Sequence, residues 1–197
     1  MAVREGFLTL LLAGENYGFR LHTEWATRTT RVVNVGQSYA TLDRLSRANL
    51  VESAGLGADG LEQYRVSANG RIAARAWLLG ADASSADEFN ETRDRCLLTL
   101  SMPAAALGEL TAAEVLAGEL ERWHARASAT AEDSGPETTA ATLFARTAER
   151  ERALAALRWL EELQAAWLAD PHRFTVPFST ERPRRGRPAK QALAATP

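Results

Sequence analysis

Apolar positions recur at helical spacing in three separate runs along the first fifty residues. Phe7, Leu8, Leu10, Leu11 and Leu12 crowd residues 5–14 densely enough for a short helix buried on most sides. Asn16 and Gly18 punctuate it. Tyr17, Leu21 and Trp25, each four residues apart, then put one apolar stripe on a second helix, which Thr27 to Thr30 bring to an end. A third helix is predicted from about Val35 to Asn49. Its inward stripe is read as Val35, Tyr39, Leu42 and Leu45, with Gln37, Thr41, Arg44 and Arg47 on an opposite polar face that a core does not require. After this the period falls to two. Residues 50–53 and 61–66 read as short strands flanking Gly55, Gly57, Asp59 and Gly60, a hairpin tip. Ser67 suits the N-cap of a further helix reaching Leu79.

Beyond residue 80 the pattern is helical with clear punctuation. Ser85 to Glu88, Thr111 to Glu114 and Ser134 to Glu137 each resemble a capping box before an apolar run. The predicted helices carry Phe89, Leu97 and Leu100; then Leu116, Leu120 and Trp123; then Leu143, Leu154, Leu157, Leu160 and Trp167. The last of them, over about residues 137–168, is longer than one small domain covers by itself, and its spacing suggests packing against a partner chain. Past Asp170 the chain turns to Pro, Arg and small residues, and no ordered secondary structure is expected there.

Composition narrows the function classes. At 46% hydrophobic residues the 197-residue chain can bury a real core. It holds no stretch of 18 apolar residues, and Arg4 and Glu5 stand where a signal peptide would begin its apolar run, so a cytoplasmic protein with no membrane partner is expected. The single Cys96 excludes an internal disulfide and a cysteine-based zinc site, and reads as a small hydrophobe on a helix. His22, His124 and His172 are scattered without metal-binding spacing, and residues 55–60 lack the Lys-Ser/Thr of a phosphate loop. No enzyme, metal or cofactor is therefore expected. The net charge of −2 conceals an uneven distribution: residues 1–80 carry 9 Arg and 7 acids, residues 81–170 carry 8 Arg and 17 acids, and residues 171–197 carry 5 Arg, 1 Lys and 1 acid. A polyanion would meet the two ends of the chain and avoid its middle.

The order helix, helix, helix, strand, strand, helix within about 80 residues is that of a winged helix, in which the third helix is the recognition helix. Here the residues themselves become familiar. Tyr17-Gly18 opening a helix, the run from Val35-Gly36-Gln37-Ser38-Tyr39 to Leu45, and Leu50-Val51-Glu52-Ser53 together resemble the PadR family of regulators. The stretch from Tyr64 to Arg71 is similar to that family's strand-to-helix close after the wing. The resemblance covers residues 5 to about 80, and from 85 to 168 it is one of architecture. Ser38 and Ala40 stand beside Tyr39 where the family usually has Leu and Pro. The wing carries Asp59 and Glu62 where the family usually has basic residues, so it is a poor ligand for phosphates.

The fold expected is mainly α: a winged helix-turn-helix DNA-binding domain over 1–80, a helical dimerisation domain over 85–168 and a flexible basic tail over 170–197. The expected activity is that of a homodimeric regulator, repressor-type, that reads a pseudo-palindromic operator in double-stranded DNA. Gln37, Thr41 and Arg44 are the candidates for base edges and Arg47 for a phosphate, with Ser38 and Tyr39 beside them. In the tail, Arg185-Gly186-Arg187-Pro188 resembles the core of an AT-hook. Glycine lets the backbone sink into a narrow groove while the flanking arginines lie along its negative potential. Trp77 and Trp123, with Trp159 and Trp167, are the candidates for a pocket that takes a small aromatic effector, an alternative the resemblance implies; at helical spacing such residues also serve as plain core.

Overall fold

The computed structural model describes residues 2–80, 88–132 and 139–179. Three helices come first, α1 (Val3–Leu11), α2 (Gly18–Thr29) and α3 (Val35–Arg47). A two-stranded antiparallel sheet follows, β1 (Val51–Leu56) with β2 (Glu62–Val66), and then α4 (Ala68–Leu78). This is a winged helix, and a helical region follows it: α5 (Glu88–Ser101), the single turn α6 (Ala104–Leu107), α7 (Ala112–Glu132) and α8 (Ala140–Ala169).

Each local signal has a visible cause. Helix α1 buries Phe7, Leu8, Leu10 and Leu11, and so lies inside the first core rather than on its edge. Gly6 allows this, because a Cβ there would sit 2.1 Å from Trp25 Cζ3; the indole of α2 lies directly on the α1 backbone. Tyr17, Leu21 and Trp25 are all buried, as their spacing requires. Asn34 caps α3 by accepting the Gln37 N–H at 2.6 Å. Ser67 caps α4 through the Gly70 N–H at 3.0 Å, and its hydroxyl donates to the Asn49 carbonyl at 2.7 Å, which closes the wing's base onto α4. The Thr111–Glu114 capping box forms reciprocally, Glu114 accepting from the Thr111 N–H at 2.7 Å and Thr111 Oγ1 accepting from the Glu114 N–H at 3.2 Å. The other two candidate boxes, at Ser85 and Ser134, lie outside the described residues, and it is Thr139 that caps α8. That helix runs for 30 residues.

Two cores share one wall. The first joins α1–α4 to Leu98, Met102, Leu107, Leu110 and Val115; the second is built from Cys96, Leu100, Leu116, Trp123 and the Ala153–Leu160 face of α8. Helix α5 therefore faces apolar neighbours on both sides, and the inward residues include Cys96 and Leu98, while Leu97 is only half-buried. Its polar residues are buried as well. Arg95 pairs with Glu119, whose other oxygen accepts from Thr92 Oγ1 at 2.9 Å, and Thr92 in turn accepts from Trp123 Nε1 at 3.1 Å. Burial pushes the Cys96 thiol up, so it stays protonated.

The expectation of no ordered structure past Asp170 needs correction. Pro171–Phe174 form a 3-10 turn, and residues 175–179 return as a strap across α2 and the end of α5. The Val176 N–H donates to the Ser101 carbonyl at 3.2 Å, the Ser179 N–H donates to Glu24 Oε1 at 2.6 Å, and Phe178 lies under the Arg28 guanidinium with 4.3 Å from Cζ to the ring centroid. What orders the segment is one buried arginine and one aromatic ring, which no periodicity announces.

Candidate nucleic-acid interface

Helix α3 is held against α2 by a small, partly polar seam. Its inward residues are Ser38, Thr41, Leu42 and Leu45, spaced three and four apart. The phase differs from the sequence expectation. Val35 and Tyr39 are 41% and 47% exposed, whereas Ser38 and Thr41 are buried. Ser38 Oγ donates to the Asn34 carbonyl at 3.3 Å and lies 3.1 Å from His22 Nδ1, across the seam with α2. Thr41 Oγ1 donates to the Gln37 carbonyl at 2.8 Å. Small hydroxyls satisfied within their own helix cost little to bury, and they let α3 approach α2 closely. Ser38 and Thr41 are thus placed in the seam and not on the outer face.

Tyr39 covers the opening of α2. A Cβ on Gly18 would stand 2.7 Å from Tyr39 Cε1 and 3.0 Å from Leu42 Cδ1, so the glycine makes room for the tyrosine ring. Nearby, the Tyr64 hydroxyl is raised above its ordinary pKa by burial first, then by the Glu62 carboxylate 3.2 Å away, with Tyr39 and Asp43 adding to it.

The outer face of α3 carries Val35, Gly36, Tyr39, Ala40, Asp43, Arg44 and Arg47, with Gln37 half-buried at its border. Gly36 and Ala40 keep its middle low, and Val32, just before the helix, is 83% exposed. Arg44 Nε donates to the Ala40 carbonyl at 3.1 Å and Nη2 to Thr41 Oγ1 at 3.2 Å, while Arg47 pairs with Asp43 at 2.8 Å. Both arginines are exposed and rest only on groups of their own helix, contacts that a stronger acceptor displaces. Val35 reads as inward in the sequence because an apolar residue at the start of a helix looks like core, and exposed Val32 gives no periodic signal.

The wing is short and acidic. Its strands pair Glu52 with Arg65, 3.1 Å apart, and a bulge falls between Ser53 and Gly55. The tip closes through the Gly57 N–H on the Leu61 carbonyl at 2.8 Å and the Leu61 N–H on Asp59 Oδ1 at 3.1 Å. Leu56, at the end of β1, is 75% exposed. Asn16 bridges to Tyr64, tying the wing to the α1–α2 link.

The remaining candidates fall elsewhere. Trp77 and Trp123 are buried in different cores; Trp77 lies under Arg95, 5.2 Å from Cζ to ring centroid, and Trp123 is bonded to Thr92. Each therefore packs as core in its own cluster, the reading that helical spacing also allowed. Arg185, Gly186 and Arg187 lie outside the described residues. Among the described residues no helix is long and apolar enough to cross a membrane, and no group of three His, Cys, Asp or Glu is placed to hold a metal ion.

No protein-family model and no curated protein sequence matches the chain. Among solved structures it is similar to the PadR of Bacillus subtilis in complex with operator DNA, at 17% identity, over 84% of this chain and 97% of that one, with a TM-score of 0.35.

Proposed function

We propose that the protein is a sequence-specific DNA-binding transcription regulator, a repressor-type homodimer that reads a pseudo-palindromic operator. The observation that carries this reading is the outer face of α3: two arginines on displaceable partners, a low centre at Gly36 and Ala40, and apolar Val32 and Val35 beside them. Such a face fits a major groove, with Arg44 and Gln37 toward base edges, Arg47 and the Tyr39 hydroxyl toward phosphates, and Val35 toward a thymine methyl. The wing contributes little charge. Arg185, Gly186 and Arg187 supply the missing attraction, entering the minor groove beside the operator.

Residues 85–168 form the dimer contact in this reading. Leu143, Phe144 and Leu168 are exposed on α8, Phe144 to 73%, and a second copy covers them. A symmetric dimer then sets its two α3 helices on half-sites about one or two helical turns apart.

Two measurements test the proposal. Sequencing of genomic DNA recovered with the native protein should return a two-fold symmetric motif; fragments with no common motif refute the reading of α3. Sedimentation at micromolar concentration should give twice 21.4 kDa, and a monomer with and without DNA ends the dimer architecture.

A further inference from the structure

Residues 30–34 carry the chain from α2 into α3. Thr30 ends α2 in the left-handed region at φ 57°, and its N–H still donates to the Ala26 carbonyl at 2.9 Å. Such a residue turns the chain off the helix axis in one step. Arg31 comes next. Its N–H donates to Thr29 Oγ1 at 3.3 Å, and its guanidinium donates to Asp94 Oδ2 at 2.5 Å. Asn34, the N-cap of α3, stands three residues farther on. Three residues span at most about 10 Å even when extended, so α3 starts close to wherever Arg31 is held. Between them Val32 is exposed, and Val33 rests against the first core, an apolar contact with no direction of its own.

Asp94 belongs to α5. With Leu98 and Ser101 it makes one face of that helix, and the face lies against the winged helix: Leu98 enters the first core, and the Ser101 carbonyl accepts from Arg28 Nη1 at 2.6 Å. Cys96 and Leu100 belong to the second core, with α7 and α8. Two arginines therefore tie the turn to α5, Arg28 before Thr30 and Arg31 after it. The second tie is costly to keep. Asp94 is fully buried, and burial pushes its pKa up against the opposing pull of Arg31 and of Arg93, whose Nη2 lies 3.1 Å from Oδ1. An apolar pair of similar volume often stabilises as well, but a buried ion pair has direction, because it is satisfied at one placement of its partners.

We infer that Asp94 is a positioning residue: through Arg31 it fixes where α3 starts relative to α5, and so how far apart the two α3 helices of a dimer stand. The consequence for DNA rests on the reading of α3 and of the dimer given above; the hold on the turn does not.

Hydrogen exchange on the full-length protein tests the hold without DNA. The Gln37 and Ser38 amides, both bonded to Asn34, report the first turn of α3. Two variants are compared: Asp94→Asn, which keeps the side chain's shape, and Arg31→Gln, at a half-buried position on the turn. In each, these amides should exchange about tenfold faster, with α1 and α4 unchanged. Wild-type exchange at both amides overturns the hold. Faster exchange throughout α1–α4 overturns it too, since the pair would then prop the whole domain. Spacing preference tests the consequence. Duplexes carrying the motif recovered from genomic DNA are made with half-sites at the native separation and one base pair nearer or farther, a step of about 3.4 Å. The wild-type protein should favour the native separation about tenfold, and both variants about twofold at most, with non-specific affinity unchanged. A folded variant that keeps the wild-type preference overturns the placement, because a merely structural pair would leave that preference alone. A wild-type protein that binds no duplex, or binds every separation alike, refutes the reading of α3 or of the dimer, and the exchange result still decides the hold.

Discussion

The helix pair α2–α3 carries arginines on two opposite faces, and the two faces treat the same side chain in opposite ways. On the inner face Arg28 has no exposed surface and bonds to a carboxylate, two carbonyls and an aromatic ring. Arg31 beside it reaches the buried Asp94 at 2.5 Å. On the outer face Arg44 and Arg47 rest on groups of their own helix and are open to water. A buried guanidinium must be satisfied completely, and so it is spent on structure. An exposed one keeps its donors in reserve for an incoming anion. Position relative to the α5 wall, rather than residue type, separates an arginine fixed in the structure from one left open to solvent.

The sharpest test of that contrast is Arg28→Ala. It strands the Glu24 carboxylate in the interior and releases the strap, so unfolding free energy should fall by about 3–5 kcal/mol in urea titration. A loss under 1 kcal/mol, by contrast with about 3 expected, would make the inner face as expendable as the outer.

Truncation separates the strap from the basic segment. Ending the chain after Asp170 removes the Val176 carbonyl from Arg28 and the Phe178 ring, and should cost roughly 2–3 kcal/mol of stability. Ending it after Ser179 should leave the urea midpoint unchanged. This shorter deletion should instead weaken binding to every DNA sequence, with the log–log salt slope shallower by about 0.9 for each phosphate that is no longer neutralised. If Arg185 and Arg187 enter a minor groove, the loss is greater on AT-rich flanks, and changing both to Ala reproduces it.

On the outer face, Arg44→Ala should lower operator affinity by about 1–3 kcal/mol and relax base preference at one position, with stability changed by about 0.5 kcal/mol or less. Arg47→Ala should weaken all sequences alike. Wild-type affinity in both variants would remove α3 from the interface.

The smallest effect belongs to neither face. Glu114 is exposed, and its bonds from the Thr111 N–H and hydroxyl hold its pKa below the ordinary glutamate value. A lowered carboxylate pKa means stability present above the unfolded value and lost as pH falls through the folded one. Glu114→Gln should therefore flatten the acid limb of the stability profile slightly and leave DNA binding unaltered; a change in operator affinity would tie α7 to the outer face.

Much of the architecture was legible because it rests on neighbours in the chain. Tyr17, Leu21 and Trp25 share a face by spacing alone, Ser67 and Thr111 cap the helices that follow them, and α8 attains its 30 residues. The candidate interface was legible in place but not in phase. Ser38 and Thr41 read as outward because they are polar, and Tyr39 as inward because it is large.

What the sequence determined by itself was the order of the main elements, the caps at Ser67 and Thr111 and the charge carried by each of its three segments, all of which depend on spacing and local hydrogen bonds. Only the tertiary structure decided which side of α3 faces water, since that turns on Gly18 leaving room for the Tyr39 ring and on hydroxyls that find partners inside the seam. It also decided that residues 171–179 are ordered, because Arg28 and the Ser101 carbonyl that hold them stand more than seventy residues away along the chain. A buried polar group is stable only where its partners converge, and convergence of distant segments is not written in any one of them.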